Sequence, residues 1–257
     1  MSPYSGAVTS TIDVAQVVLY LFWVFFAGLI YYLHRENKRE GYPLESDRSG
    51  SIRVQGFPSI PKPKTYLLPH GGTFSAPNDQ RDTRSINATP VGPWPGAPLE
   101  PTGDPMLAAV GPGSYAERAD VPDLTVDGQP KIIPLRRAAG FSLASGDPDP
   151  RGMPVVGADG QVAGKVSDVW VDTSEMLIRY YEADVGGKKT LIPNTFAKVT
   201  DGRNGAVTVK SIMARHFTNV PGLKNPDQVT FLEEDKIMAY YGGGTLYADP
   251  SRAEPFL

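Results

Sequence analysis

The sequence predicts one membrane-spanning α-helix near the N-terminus, then a mainly-β body with a short helix towards its C-terminal end. Three observations carry the prediction: an uncharged apolar run from Val14 to Leu33, β-patterned segments separated by turn dipeptides beyond Lys131, and a capping box at Thr230 and Glu233.

The run VAQVVLYLFWVFFAGLIYYL holds about 20 residues, which at about 1.5 Å per residue crosses a hydrocarbon core of about 30 Å. Gln16 is its one strongly polar residue. A cleaved signal peptide would need a basic stretch before the run, where only Asp13 is charged. Tyr31 and Tyr32 sit where an interfacial aromatic belt belongs, with Tyr20 and Trp23 deeper. Arg35, Lys38 and Arg39 follow the run and no Lys or Arg precedes it, so the cationic flank predicts a cytoplasmic body. Tyr32, Arg35 and Lys38 are candidate lipid or interface contacts, explained equally well by general membrane electrostatics.

A net charge of −3 and a pI near 5.7 give no basic field for nucleic acid. The lack of cysteine removes disulfides, thiolate catalysis and Cys-ligated metals, and agrees with a reducing compartment. Glycine and proline together make about a fifth of the chain, short of the level that signals wholesale disorder. The prolines cluster from Pro58 to Pro105, where fixed φ and missing N–H groups oppose helices and central strands. Residues 37–130 are therefore predicted as an extended Pro/Gly-rich arm and surface segment. A solvated linker is poor in large apolar residues, yet this arm carries Phe57, Ile60, Tyr66, Leu67, Leu68, Phe74, Trp94 and Leu99. They predict an arm laid on a partner.

Residues 131–257 form the predicted β domain. Val155 and Val156, the turn Asp159-Gly160 and the run QVAGKVSDVWVD make one hairpin. IRYYEADV and KTLIP, joined at Gly186-Gly187, make a second, and AVTVKSI follows Asn204-Gly205. Closely spaced strands of this kind predict a small antiparallel barrel. One helix is predicted near 231–241, capped at Thr230 and ended by Gly242 to Gly244, its acidic first turn explained by the helix dipole.

Catalytic motifs are scarce. His34, His70 and His216 form no metal-spaced pair, and GxSxG, GxGxxG and phosphate loops are absent, which argues against an enzyme and against a metal site. One cluster is informative: Asp168, Asp172, Glu175 and Arg179 fall within a dozen residues, where crowded acids can couple their titrations. Ordinary solvated turn charges account for the same pattern.

Several long strings, in order, resemble the H subunit of the purple bacterial photosynthetic reaction centre: FWVFFAGLIYYL leading into ENKREGYPLE, then PKPKTYLLPHGG, PTGDPM, VGPGSYAERAD, AGKVSDVWVD and LEEDKIMAYYGGGTLYA. The resemblance implies a non-catalytic subunit with a periplasmic N-terminus over 1–13, a spanning helix over 14–36 and a cytoplasmic body of the PRC-barrel type. It implies residence in the photosynthetic (chromatophore) inner membrane, with the L and M subunits as partners and antenna-ring polypeptides and lipids around them. Bacteriochlorophyll, bacteriopheophytin, quinones and non-haem iron would belong to L and M, and this chain would ligate none. It further implies proton conduction to the secondary quinone, with the family's buried acid falling on Glu175 and its neighbours on Asp172 and Arg179. Some members carry surface histidines before the segment matching Lys131 to Pro134. Here that region reads VDGQPKIIP, leaving Asp127 as the candidate for proton uptake. Ala27 and Gly28 become candidates for close helix packing. The competing reading is a membrane-tethered PRC-barrel adaptor for another protein; a tethered enzyme is weaker still.

Overall fold

The computed structural model describes residues 13–45, 53–80 and 82–252. The chain divides between Asp82 and Thr83 into two compact units. The expected N-terminal segment, Asp13 apart, lies outside the described residues.

The first unit opens with α1, Val14–Glu36, long and apolar enough to cross a membrane and nowhere buried by the rest of the chain. Gln16 has a local explanation. Asp13 caps the helix, its Oδ1 accepting from the Gln16 N–H at 2.8 Å, while Gln16 Oε1 accepts from the Asp13 N–H at 3.3 Å. This capping box satisfies backbone donors that would otherwise lie unpaired at the helix start. After α1 the chain makes a short 3₁₀ turn and folds into two ribbons. The first pairs β1 (Leu44–Glu45) with β2 (Arg53–Val54), the second β3 (Lys64–Leu67) with β4 (Thr73–Ala76).

Two cations at the helix exit are buried. Lys38 Nζ donates to the Gln55 and Pro58 carbonyls, both at 2.6 Å, and faces the Tyr42 ring at 5.1 Å. Arg39 makes a forked pair with Glu36 and donates through Nη1 to the carbonyls of Lys62 (2.7 Å) and Ala76 (3.1 Å). The sequence marks Lys38 as a candidate lipid or interface contact. Its ammonium is instead consumed inside the protein, so of that trio Tyr32 is exposed and Arg35 half-buried.

The second unit holds one more two-stranded ribbon, β5 (Ala88–Pro90) with β6 (Leu99–Pro101), and a seven-stranded sheet. Its strands are β7 (Ile132–Pro134), β8 (Pro154–Val156), β9 (Val162–Asp172), β10 (Leu177–Val185), β11 (Lys188–Pro193), β12 (Ala197–Thr200) and β13 (Ala206–Val209). The hydrogen-bonded path runs β11–β10–β9–β8–β13–β12 as a curled half-barrel. All three predicted turns join paired or adjacent strands, and β12 adds a strand the pattern did not suggest. The β8–β13 pair is parallel, a departure from a purely antiparallel barrel. Strand β9 is long enough to pair along one edge with β8 through its first half and with β7 through its second. Trp170, Val169, Ile192, Val207, Val209, Phe217, Ile237 and Tyr241 fill the core.

Residues 83–130 belong to this second unit, so the predicted arm is not one piece. Met106 enters the core, Pro122 bridges Thr230, and the Phe231 N–H donates to the Val121 carbonyl at 3.0 Å.

Helix α2, Phe231–Tyr247, begins at the predicted capping box, Thr230 with Glu233. It does not stop at Gly242. The three glycines lie inside it because neighbouring backbone comes too close for a side chain: a Cβ on Gly242 would meet the Pro112 carbonyl oxygen at 2.7 Å, and one on Gly244 the Ser211 carbonyl oxygen at 2.7 Å and Ile212 Cγ2 at 2.3 Å. Alanine at 244 would gain about 1 kcal/mol of helix propensity. The forced displacement of Ile212 and the 211 backbone outweighs it, so Gly244→Ala should destabilise the body by about 1–3 kcal/mol in denaturant unfolding. Gly222→Ala, where a Cβ meets nothing within 4 Å, should change stability by less than about 0.5 kcal/mol.

Candidate functional site

At the end of β9 the chain must turn into β10, and Asp172 makes the turn. Its Oδ1 accepts from the backbone N–H groups of Ser174 and Glu175, each at 2.9 Å, and Met176 takes the left-handed conformation that closes it. Asp172 is 1% exposed, so its second oxygen needs a partner, and Lys131, the residue before β7, supplies it. Lys131 Nζ lies 3.5 Å from Asp172, 3.1 Å from Glu175 and 3.6 Å from Asp123. Its pKa is raised, first by the hydrogen bond to Glu175 and then by the other two carboxylates, against its own desolvation.

The opposite wall comes from β10 and α2. A bulge between Ile178 and Tyr180 breaks the strand's alternation, so Arg179 and Tyr180, adjacent in sequence, both line the same cavity. The Tyr180 hydroxyl donates to Glu234 Oε2 at 2.6 Å, and Arg179 Nη2 stands 3.9 Å from that oxygen. Burial raises the Glu234 pKa, against the Tyr180 hydrogen bond and the Arg179 charge; burial likewise pushes the Tyr180 phenol up. Arg118 covers the Phe231 ring at 4.2 Å and approaches Asp235 at 3.6 Å.

These groups enclose about 490 Å³, lined by five carboxylates (Asp123, Asp172, Glu175, Glu234, Asp235) and three cations (Arg118, Lys131, Arg179). With every acid ionised the cavity would carry a surplus of negative charge. Burial raises the affinity of Glu234 for a proton, which would offset part of that surplus.

Asp168 does not join this group. It faces a second cavity, where Arg136 Nη1 donates to Asp168 at 3.0 Å and Glu182 at 2.9 Å while Nη2 reaches Asp227 at 3.0 Å. Burial pushes Glu182 up, but hydrogen bonds from Arg136, Ser167 and Trp170 together bring its pKa below the ordinary value. Four residues along β9 are enough to carry Asp168 past Trp170 to other partners. Asp127 lies exposed on the Thr125–Gly128 turn outside the first cavity, where Asp123 occupies the place facing Lys131. Glu175, expected as a buried acid, has a side chain 51% exposed at the cavity mouth; the buried acids are Asp172 and Glu234. Among the described residues no group of three or more His, Asp or Glu is placed to hold a metal ion.

Residues 6–137 match the family described as photosynthetic reaction centre, H-chain N-terminal region, and residues 144–215 match the PRC-barrel domain. The chain belongs to the reaction centre H-chain family. H chains are structural, non-pigment-binding subunits that associate with L and M, and α1 serves this one as its membrane anchor. Of the residues lining the first cavity, Asp172, Glu175 and Arg179 stand out in the sequence, whereas Lys131, Asp123, Tyr180 and Glu234 do not. In sequence Glu234 is one of an acidic first turn that the helix dipole explains, an explanation that suffices for Glu233, the capping residue, which also accepts the Lys224 N–H at 2.7 Å.

The raised Glu234 pKa has a definite sign. The folded chain binds this proton more tightly than an unfolded one, whose value is near 4.5, so the linked stability is complete below that pH and is lost as pH rises through the folded value. Glu234→Gln keeps an acceptor for Tyr180 and removes the titration. In thermal unfolding followed by tryptophan emission, the variant's Tm should gain on the wild type as pH is raised from about 4.5, the unfolded value, through the folded one.

Proposed function

We propose that this subunit stabilises the L/M core, covers its quinone end from the cytoplasmic side, and conducts protons to the secondary quinone as that quinone is reduced to quinol. The observation that carries the proton reading is the acid-rich cavity: an exposed carboxyl at its mouth, Glu175; a buried carboxylate behind it, Asp172; and a desolvated acid with a raised pKa on its far wall, Glu234. Lys131 and Arg179 hold the cluster's charge near a balance in which one proton is readily gained or lost. Orientation rests on the cationic flank after α1, against an N-terminal side without Lys or Arg.

Glu175→Gln should slow the proton-coupled transfer of the second electron to the quinone by about tenfold, less than the 10²–10⁴ typical of a lone acid–base group because Asp172 and Asp123 remain beside it. Primary charge separation should be unchanged. Flash spectroscopy on the intact complex reads both, and an unaltered second transfer removes Glu175 from the route.

The docking part has its own measure. A Cβ at Gly28 would meet nothing within 4 Å in this chain, and Ala27 beside it is exposed, so a close approach there must come from a neighbouring subunit. The chain purified in mild detergent should bring bacteriochlorophyll absorption in the near infrared. Gly28→Leu should abolish most of it while the chain still inserts; pigment-free wild-type material would overturn the assignment to the complex.

A further inference from the structure

The segment Gln55–Ser59 carries a side chain that the proton-conducting role does not use. Phe57 is 82% exposed, yet its ring lies 6.0 Å from that of Tyr31, a residue of α1. Tyr31 stands two residues before the end of the apolar run, about 3 Å along the helix axis from Leu33. Phe57 therefore sits at the depth where α1 leaves the hydrocarbon, though it is 21 residues further along the chain than Glu36, where α1 ends.

The loop is fixed there by a buried charge. Lys38 is 3% exposed and directs its ammonium at the Gln55 and Pro58 carbonyls, both at 2.6 Å, with the Tyr42 ring at 5.1 Å. A desolvated ammonium is costly unless its N–H groups are met, so moving the loop would strand the charge. Gly56, at φ +64° between the two carbonyl residues, lets both oxygens converge, and a Cβ there would stand 3.5 Å from Lys38 Nζ. Pro58 is buried beneath, and Gln55 and Ser59 face outwards.

We propose that the Gln55–Ser59 loop is a second membrane contact of this chain, in which Lys38 presents Phe57 to the boundary between acyl chains and headgroups. The site rests on α1 being the anchor and is independent of the proton route. A bilayer is favoured over a protein partner because Phe57 continues the surface of α1 at Tyr31 as a single ring in a loop whose ends, Gln55 and Ser59, are polar and exposed. A protein contact of comparable strength would need a wider apolar patch.

The chain has no cysteine, so Phe57→Cys places one label on it. The intact complex, labelled with bimane at position 57 and reconstituted into phosphatidylcholine vesicles, is titrated with a doxyl-lipid quencher and separately with iodide. Labels at Leu33 and at Val126, 99% exposed on the body, are the references. Lipid quenching at 57 should be several-fold steeper than at 126 and close to that at 33, and Lys38→Met should reduce it towards the value at 126. Quenching at 57 by iodide alone, as at 126, overturns the proposal by placing the loop in water. Protection from both quenchers overturns it in favour of a covering subunit.

Discussion

A cation withdrawn from water must be met by oxygen, and this constraint ties together the parts of the chain that hydrophobic patterning leaves separate. Lys38 and Arg39, adjacent at the exit of α1, are satisfied by carbonyls 17 to 37 residues away, at Gln55, Pro58, Lys62 and Ala76. Their demands bring ribbons with little apolar core of their own back against the helix end. Lys131 does the same in the body, its ammonium collecting Asp123, Asp172 and Glu175 while its carbonyl accepts from the Thr173 N–H and hydroxyl. Arg136 joins two strands to the loop at Pro226 and Asp227. Removing any of these side chains would leave carboxylates or carbonyls unpaired, a larger penalty than the net worth of the bonds lost.

The same constraint explains what the sequence reveals and what it hides. The spanning helix, the turns at Asp159-Gly160 and Gly186-Gly187 and the Thr230 capping box are encoded within a few residues each, by apolar length, by left-handed glycines and by i,i+3 reciprocity. Lys131 meeting Asp172 depends on the register of β7 on β9, and Glu234 meeting Tyr180 depends on how α2 docks and on a bulge in β10. No local pattern specifies those meetings. The glycines at 242–244 fit the local rule that glycine ends a helix, but they answer to a non-local fact, the backbone of Pro112 and Ser211 pressing on α2.

The exposed apolar residues divide along similar lines. α1 has no buried residue, and Tyr66, Leu67, Leu68, Phe74, Trp94 and Leu99 are exposed as well, Leu67 at 86%. The ribbons that carry them are two-stranded and short, a form that is marginal in water without a face to rest on. A surface of this kind is intelligible in a chain whose family places it against L and M, where other subunits supply faces for such residues to rest on.

The two acidic cavities of the body then differ in kind. At Glu182 burial is overcome: three donors, one of them a guanidinium, keep the carboxylate ionised, and the proton has no reason to return near neutral pH. Such a group holds structure. At Glu234 the donor is a phenol, itself reluctant to ionise, the Arg179 guanidinium stands 3.9 Å away without a hydrogen bond, and burial prevails. An acid held back from ionising by burial, in a cavity shared with other carboxylates, would bind its proton more tightly still if a negative charge arrived nearby. Glu182 on β10 and Glu234 on α2 are both buried carboxyl groups; the strength of the counter-charge decides which way each pKa moves.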